Sequence, residues 1–314
     1  CRYDYCEIKN ISRSLLENYS FNIVMTKIMP SQEGPGSLIY VVSSKTGQIL
    51  NRFEVPFGKE SWSVPIFKKI QNKRLLIYGS GGERTSGHLI AQDIDTGDIL
   101  WTIENKSKGF ISSPALYTEN GRDVVVTNSM EGDIKKVDAL TGEIIWSQSV
   151  GTEYESYSSP AVGTFNGKNY KHIISIFSRG VWPTYESASL FVFDGESGKI
   201  ILNEKVGYCQ SSSSPIIADV DNDMKDDIIY ISCTDRHARV IALSNNFEVL
   251  ISHAISSGSF STPIAIDLDS NEKLDIIIPR FHFLDRFELI EKMNNYSSSW
   301  NQYRGKLWNG VYSN

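Results

Sequence analysis

Short apolar runs of strand length alternate with polar turns along almost the whole chain. Runs such as residues 88–94 (HLIAQDI) and 123–127 (DVVVT) are rich in Ile, Leu or Val and lie beside turn residues such as Gly87, Asp95 and Asn128. This pattern is typical of β-strands joined by tight turns. Helix-like periodicity is faint and confined to residues 11–19. The chain is therefore predicted to be all-β, with many short strands.

Two sequence landmarks recur in step, which indicates structural repeats. The first is Ser/Thr-x-Pro or a close variant, and its prolines are 49, 46, 55 and 48 residues apart. These prolines are Pro65, Pro114, Pro160, Pro215 and Pro263. The second is a Thr-Gly or Ser-Gly turn with glycines at Gly47, Gly97, Gly142 and Gly198, followed by a degenerate copy without glycine at residues 245–247.

Each repeat reads as a proline-started strand, a second apolar strand and a hairpin of two more. Proline cannot donate to a sheet ladder, and glycine supplies the positive φ of a short turn. Four antiparallel strands repeating every ~40–50 residues predict a β-propeller blade. We count six blades, with seven as the alternative. Residues 1–20 are expected to form an N-terminal extension and residues 21–314 a single propeller, whose aromatic tail closes the ring by completing the first blade.

Two repeats carry an acidic loop between their first and second strands. Oxygen-bearing side chains stand at positions 1, 3, 5 and 9 of each loop, a spacing that lets them converge on one Ca²⁺ ion. They are Asp219, Asp221, Asp223 and Asp227 in the first loop, and Asp267, Asp269, Asn271 and Asp275 in the second. The alternative is a solvated acidic turn. The presence of two matching copies favours calcium.

These repeats resemble two known propeller families. Residues 95–101 (DTGDILW) and 139–146 (ALTGEIIW) are similar to the repeats of quinoprotein-type, PQQ-like propellers. The acidic loops are similar to FG-GAP repeats of integrin-α-type propellers, which implies structural calcium. The resemblance covers residues 21–314. It departs at Met224, where the FG-GAP loop usually has glycine, and in the earlier blades, which have lost the ligand set.

No arrangement of residues points to catalysis, so we expect a non-enzymatic member. Quinone-dependent enzymes of this type usually form a larger propeller ring and contain a vicinal disulfide, whereas this chain has no adjacent cysteines. Trp101 and Trp146 share one repeat position, which indicates packing between blades. The five histidines lack metal-ligand spacing. The alternative is an enzyme or small-ligand receptor that uses the central channel.

Function is expected where the repeat is broken. The longest unit has its extra length in residues 178–187, which include Arg179, Trp182 and Tyr185. Such residues dominate interface hot spots, so this segment is predicted to bind a partner protein. The alternative is a self-packed cover. A glycine-rich insertion at residues 79–87 is a second break; a phosphate-binding role is weak because no helix follows it.

Composition and cysteine positions indicate an extracytoplasmic protein. The net charge of −6 without a basic run argues against nucleic acid, and no apolar run approaches the ~20 residues of a membrane span. The glycosylation sequons are at Asn10, Asn18, Asn105 and Asn295. Their use stays open, as does the choice between a bacterial lipoprotein acylated at the first cysteine and a eukaryotic surface ectodomain.

A disulfide between Cys209 and Cys233 is predicted. Cys209 precedes the first strand of its blade and Cys233 follows the second, and antiparallel neighbours bring those ends together. Cys1 and Cys6 would then pair with each other. The sequence as a whole predicts a secreted, cell-surface or periplasmic propeller that binds other proteins, without a transmembrane segment and compatible with a lipid or membrane anchor outside this chain.

Overall fold

A computed structural model describes residues 21–27, 36–43, 45–207, 213–234, 237–255, 261–280, 283–292, 300–305 and 310–312. These residues form β-strands and a single 3-10 turn, Pro56–Gly58, and contain no α-helix. The predicted all-β class is confirmed. Within the same residues, there is no helix with the length and hydrophobicity that crossing a bilayer requires.

The strands form five sheets that contain six successive antiparallel groups, here called blades 1 to 6; blades 4 and 5 share one nine-stranded sheet because a single parallel bridge joins them. Blade 1 contains β1 (Phe21–Lys27), β2 (Ser37–Ser43) and β3 (Ile49–Glu54), and blade 2 contains β4 (Ile66–Ile70), β5 (Lys73–Gly79), β6 (Gly87–Asp93) and β7 (Ile99–Asn105). Blade 3 contains β8 (Ala115–Glu119), β9 (Arg122–Asn128), β10 (Asp133–Asp138) and β11 (Ile144–Ser149). The short strand β12 (Tyr154–Glu155) lies in the connection from blade 3 to blade 4 and pairs with β14. Blade 4 itself contains β13 (Ala161–Gly163), β14 (His172–Val181), β15 (Thr184–Asp194) and β16 (Ile200–Gly207). Blade 5 contains β17 (Ile216–Ala218), β18 (Asp227–Thr234), β19 (His237–Leu243) and β20 (Val249–Ile255), and blade 6 contains β21 (Ile264–Ile266), β22 (Lys273–Pro279) and β23 (Leu284–Lys292).

Both sequence landmarks occupy their predicted places. Each of the five prolines directly precedes the first strand of its blade. The turn glycines lie between the last two strands of their blades with φ between 72° and 80°, and Phe247 takes φ 67° in the degenerate copy. The division into residues 1–20 and 21–314, and the number of blades, stay predictions because residues 1–20 and 293–299 lie outside the described ranges.

The hydrophobic core lies between neighbouring blades. Separate clusters of buried Ile, Leu, Val and Phe side chains join blades 1 and 2, blades 2 and 3, blades 3 to 5, and blades 5 and 6. The indole N–H of Trp101 donates to the Ala139 carbonyl of the next blade (3.1 Å), and that of Trp146 donates to Gly195 (3.0 Å). The predicted role of these tryptophans in packing between blades is confirmed.

A chain of hydrogen bonds connects successive blades near the propeller axis. It uses the residue before each repeat proline, whose amide donates to the hydroxyl of its counterpart in the next blade. The amide of Val64 donates to Ser113 (2.8 Å), that of Ser113 to Ser159 (3.1 Å), that of Ser159 to Ser214 (2.9 Å), and that of Ser214 to Thr262 (3.0 Å). The Ser/Thr-x-Pro repeat therefore links blades 2 to 6 as well as starting strands.

The C-terminal tail lies against the first strands of the blades, which contact one another around the axis. Carbonyls of Trp300 and Asn301 accept hydrogen bonds from blades 5 and 6 (2.9 and 2.8 Å), and Gly310 accepts one from Leu116 of blade 3 (2.6 Å). We expected the tail to complete blade 1. No described tail residue pairs with β1, β2 or β3, because these hydrogen bonds hold the tail in the central channel.

Candidate functional site

The candidate residues lie on two opposite faces of the propeller. In an antiparallel blade, loops between the first and second strands leave at one end of the sheet, here called the lower face. Loops between the second and third strands, and those connecting blades, leave at the other end, the upper face. The acidic loops follow β17 and β21 and belong to the lower face, whereas the insertions at residues 79–87 and 179–187 belong to the upper face.

Each acidic loop brings three carboxylates together. In the first loop, oxygens of Asp219, Asp221 and Asp227 lie within 4.8 Å of one another. In the second loop, oxygens of Asp267, Asp269 and Asp275 do the same. The structure therefore gathers three of the four side chains that the sequence proposed for each loop.

The fourth predicted ligand of each loop bonds elsewhere. Asp223 accepts hydrogen bonds from the amide (3.0 Å) and the ammonium group of Lys225. Asn271 donates its side-chain amide to Glu288 (2.6 Å) and accepts from the Lys273 amide (2.9 Å). These two side chains shape the loops in this structure.

Both loops make the same tight turn without glycine. Met224 and Glu272 take φ values of 66° and 68°, in the region that favours glycine. Their amides donate to the first carboxylate of the loop, Asp219 or Asp267, at 2.9 Å in both cases. At Met224, where the FG-GAP loop usually has glycine, the positive φ is therefore accompanied by a hydrogen bond to the side chain of the first aspartate of the loop.

Asp227 is a buried carboxylate with one unused oxygen. Its side chain is 0% exposed, Oδ2 accepts from the Val220 amide (2.7 Å), and Oδ1 has no hydrogen-bond partner. Burial, helped by the charges of Asp221, Asp219 and Asp223, raises the pKa of Asp227 to about 7. An unpaired buried carboxylate is costly, and a divalent cation among these oxygens would remove that cost.

The second loop already contains a positive group. Arg286 donates from Nε to Asp275 (2.6 Å) and from Nη2 to Asp269 (2.7 Å). Asp275 is 0% exposed; burial alone would raise its pKa, but the hydrogen bonds from Arg286 and Leu268 lower it overall. The guanidinium thus neutralises the carboxylates that a cation would otherwise bind.

Blade 5 has an alanine where blade 6 has this arginine. Arg286 pairs with the second residue after Asp275, and Ala242 pairs with the second residue after Asp227. Ala242 is buried and carries no charge. The difference was missed in the sequence, where comparing the third strands of the two repeats would have found it.

On the upper face, the predicted partner-binding loop is largely a hairpin extension. Strand β14 continues to Val181 and strand β15 begins at Thr184, so only Trp182 and Pro183 form the turn between them. Trp182 is 40% exposed. Arg179 is exposed and lies 3.8 Å from Glu186. Trp182 and Arg179 are therefore presented to solvent.

Tyr185, in contrast, anchors the hairpin to the body of the propeller. Its hydroxyl donates to Glu155 (2.8 Å), a carboxylate that is 1% exposed. Glu155 also accepts from the Lys108 ammonium (2.6 Å) and from the Trp182 amide (3.4 Å). Burying this carboxylate is tolerated because three donors satisfy it. The hairpin is therefore partly self-packed.

Tyr157 connects the two insertions. Its hydroxyl donates to Glu83 of the glycine-rich insertion, and its ring lies 6.2 Å from the Trp182 ring in an edge-to-face arrangement. Sequence reasoning singled out neither Tyr157 nor Glu155, because both lie in an ordinary connection between blades. The two insertions thus form one continuous surface.

The disulfide and most glycosylation predictions fall on residues outside the described ranges. Cys1, Cys6, Cys209, Asn10, Asn18 and Asn295 are such residues. Gly207, two residues before Cys209, pairs with Cys233 in a parallel bridge. Asn105 is 3% exposed, which leaves no room for a glycan in the folded chain. The Cys209–Cys233 pairing stays a prediction.

The blades, the interblade cores and the axial tail define a β-propeller. The family model of the outer membrane protein assembly factor BamB matches residues 35–265. The chain belongs to this family of PQQ-like propellers. A search of curated proteins finds no match in sequence.

Solved structures match the chain at low sequence identity. The quinohemoprotein alcohol dehydrogenase from Comamonas testosteroni has a TM-score of 0.57 and 12% identity, over 83% of this chain and 54% of that chain. The chain thus spans about half of that enzyme. BamB from Moraxella catarrhalis matches with a TM-score of 0.42 and 14% identity, over 82% of this chain and 78% of that chain. A europium-containing methanol dehydrogenase matches with a TM-score of 0.43 and 12% identity, over 82% and 71%. The family model describes an assembly factor and the structure with a TM-score of 0.57 is a dehydrogenase, so the choice of function rests on the residues of this chain.

Proposed function

We propose that this chain is a non-enzymatic, extracytoplasmic β-propeller that binds other proteins in a membrane or extracellular complex. The observation that carries the proposal is the packing of the two irregular insertions into one upper-face surface through Tyr157 and Glu155. That surface exposes Trp182 and Arg179, residue types that dominate interface hot spots. The family match to an outer membrane protein assembly factor supports a partner in a membrane assembly.

The position of the tail favours binding over chemistry in the channel. Arg304 is 3% exposed and donates to the Pro65 carbonyl (2.7 Å) of blade 2. Tyr303 lies at hydrogen-bond distance from Ser113 (3.2 Å) and Ser159 (3.4 Å) of blades 3 and 4. An enzyme or small-ligand receptor that uses the channel needs this space, which the chain's own tail takes.

We further infer that the first acidic loop binds structural Ca²⁺ through Asp219, Asp221 and Asp227, with Asp223 close by. Three carboxylates and a buried oxygen without a partner fit a hard cation with oxygen ligands. In the second loop, Asp267, Asp269, Asn271 and Asp275 would bind calcium only in competition with Arg286. One ion per chain is therefore the proposed stoichiometry.

Titration of chelator-stripped protein with CaCl₂ is expected to show one bound ion per chain. Calcium at about 100 times its dissociation constant would add about 2.7 kcal/mol to the free energy of unfolding, which raises Tm by roughly 5 °C. Asp227→Asn should abolish the binding heat, and Asp98→Asn, a change in an exposed lower-face turn, should leave it intact. No binding heat together with an unchanged Tm would refute the calcium site.

The same protein should show a pH signature when calcium is absent. With the pKa of Asp227 at about 7, the folded chain keeps a proton that the unfolded chain loses near pH 4. Stability of the chelated protein should therefore fall as pH rises from about 4 to 7, and saturating calcium should reduce this loss.

Replacing Trp182 with alanine is expected to weaken the affinity for a native partner by about 30-fold or more, which is the effect of losing a hot spot of about 2 kcal/mol. Co-purification from the native membrane fraction, followed by a binding titration of the recovered partner, measures this. Tyr185→Phe is the matched control, because it keeps the ring and loses the hydrogen bond to Glu155. This variant should have a lower Tm but bind the partner with nearly wild-type affinity. Normal partner binding by Trp182→Ala at wild-type Tm would show that the hairpin is scaffold.

A further inference from the structure

A pocket of about 500 Å³ opens on the upper face beside the surface just described. Its walls come from the blade 1–2 connection, the glycine-rich insertion, and the connections that follow blades 2 and 3. The charged, aromatic and aliphatic side chains of its lining are Glu60, Trp62, Glu83, Arg84, Ile111 and Tyr157. Neither the acidic loops nor the channel contributes to it.

The pocket walls are held in place by backbone hydrogen bonds. The Gly81 amide donates to the Glu60 carbonyl (2.8 Å), and the Gly109 amide donates to the Gly82 carbonyl (2.8 Å). A Cβ on Gly109 would lie 2.5 Å from the carbonyl carbon of Gly81, so only glycine allows this approach. These contacts hold the glycine-rich insertion in place, and a pre-formed pocket loses little free energy in ordering when it binds a ligand.

The chemistry of the lining favours a cation with an apolar stem. Two carboxylates, Glu60 and Glu83, and two aromatic rings, Trp62 and Tyr157, face one space. The Tyr157 hydroxyl donates to Glu83 and so orients that carboxylate. Aromatic faces and carboxylates both attract ammonium and guanidinium groups.

Charge supports the same ligand class. Arg84, which is exposed, offsets one of the two carboxylates and leaves the lining with one net negative charge. The chain as a whole carries −6, so a positively charged partner segment is attracted at long range. The alkyl stem of a lysine or arginine would lie along Ile111 and Trp62.

We propose that this pocket binds a basic side chain, arginine or lysine, presented by an extended segment of a partner protein. The inference rests on the proposed binding function and deepens it by naming the chemistry that the partner presents. Trp182, in edge contact with Tyr157, would then cover the neighbouring residues of the same segment.

NMR titration of the full chain with a blocked Gly-Gly-Arg-Gly-Gly peptide tests the proposal. We expect saturable shifts of the Trp62 indole N–H, assigned with Trp62→Phe, and about tenfold weaker binding of the peptide with Gln in place of Arg. Glu83→Gln, which still accepts the Tyr157 hydrogen bond, should weaken the Arg peptide about tenfold. The matched control is Glu104→Gln, an exposed glutamate on β7, which should bind normally.

Three results would overturn the proposal. They are equal binding of the Arg and Gln peptides, preferential binding of a Glu peptide through Arg84, and equal weakening by Glu83→Gln and Glu104→Gln. The proposed binding function is tested separately, because Trp182→Ala reports on the native partner. If Trp182→Ala lost the native partner while the wild-type chain did not bind the Arg peptide, the assignment of the pocket would be rejected and the proposed binding function would stand.

Discussion

Replacing Trp101 with alanine is expected to lower the free energy of unfolding by about 3–5 kcal/mol. The Trp101 side chain is only 8% exposed, and its ring lies over the turn glycine of the next blade, where a Cβ on Gly142 would approach within 2.6 Å. The substitution removes this interblade contact and the hydrogen bond to Ala139 together. Urea unfolding followed by circular dichroism measures the loss.

Two matched variants separate the contributions of ring and hydrogen bond. Trp101→Phe keeps an aromatic ring and loses the N–H donor, so a loss of about 1 kcal/mol is expected. Trp146→Ala removes the same contact one blade later, where the indole is half-buried, and should cost less than Trp101→Ala. A loss below about 1 kcal/mol for Trp101→Ala would mean that the ring contributes little to blade packing.

Replacing Arg286 with alanine is expected to raise the calcium stoichiometry from one ion per chain to two. Without the guanidinium, Asp269 and Asp275 lose their positive partner, and the fully buried Asp275 would be left as an uncompensated charge. The second loop would then resemble the first, in which Ala242 occupies the equivalent position. Calorimetric titration of chelator-stripped wild type and variant gives both stoichiometries.

The control for this experiment is another cation on the same strand pair. Lys273 bonds to Glu288 (3.1 Å) rather than to the clustered aspartates, so Lys273→Ala should keep one ion. The double variant Arg286→Ala with Asp227→Asn should also bind one ion, now in the second loop. Two ions in the wild type, or one in Arg286→Ala, would contradict the assignment of Arg286 as an internal substitute for calcium.

The repeat architecture was predictable because its determinants are local. A proline that starts a strand and a glycine with positive φ act within a few residues of their own position, so their spacing predicted where strands begin and hairpins turn. The acidic loops were likewise predictable as turns, since each first aspartate accepts from amides four and five residues later. The same spacing predicted the ligand types of the proposed cation site.

The charge pairing in the second acidic loop and the position of the tail depend on contacts between residues far apart in the chain. The sequence could not place Arg286 on Asp275, because that contact depends on the register between β22 and β23. It could not predict that the tail occupies the channel, since its hydrogen bonds reach strands more than a hundred residues away, such as β8 at Leu116.

The upper-face surface could not be predicted from the sequence for the same reason. Tyr157 joins Glu83, 74 residues earlier, to Trp182, and no periodic signal marks such a contact. By itself the sequence determined the propeller, its repeat unit and the turns that carry carboxylates. Only the packing of the blades decided which carboxylates are already neutralised, which aromatic residues are anchored, and which surface stays open to a partner, because charge pairing and burial are properties of the assembled blades.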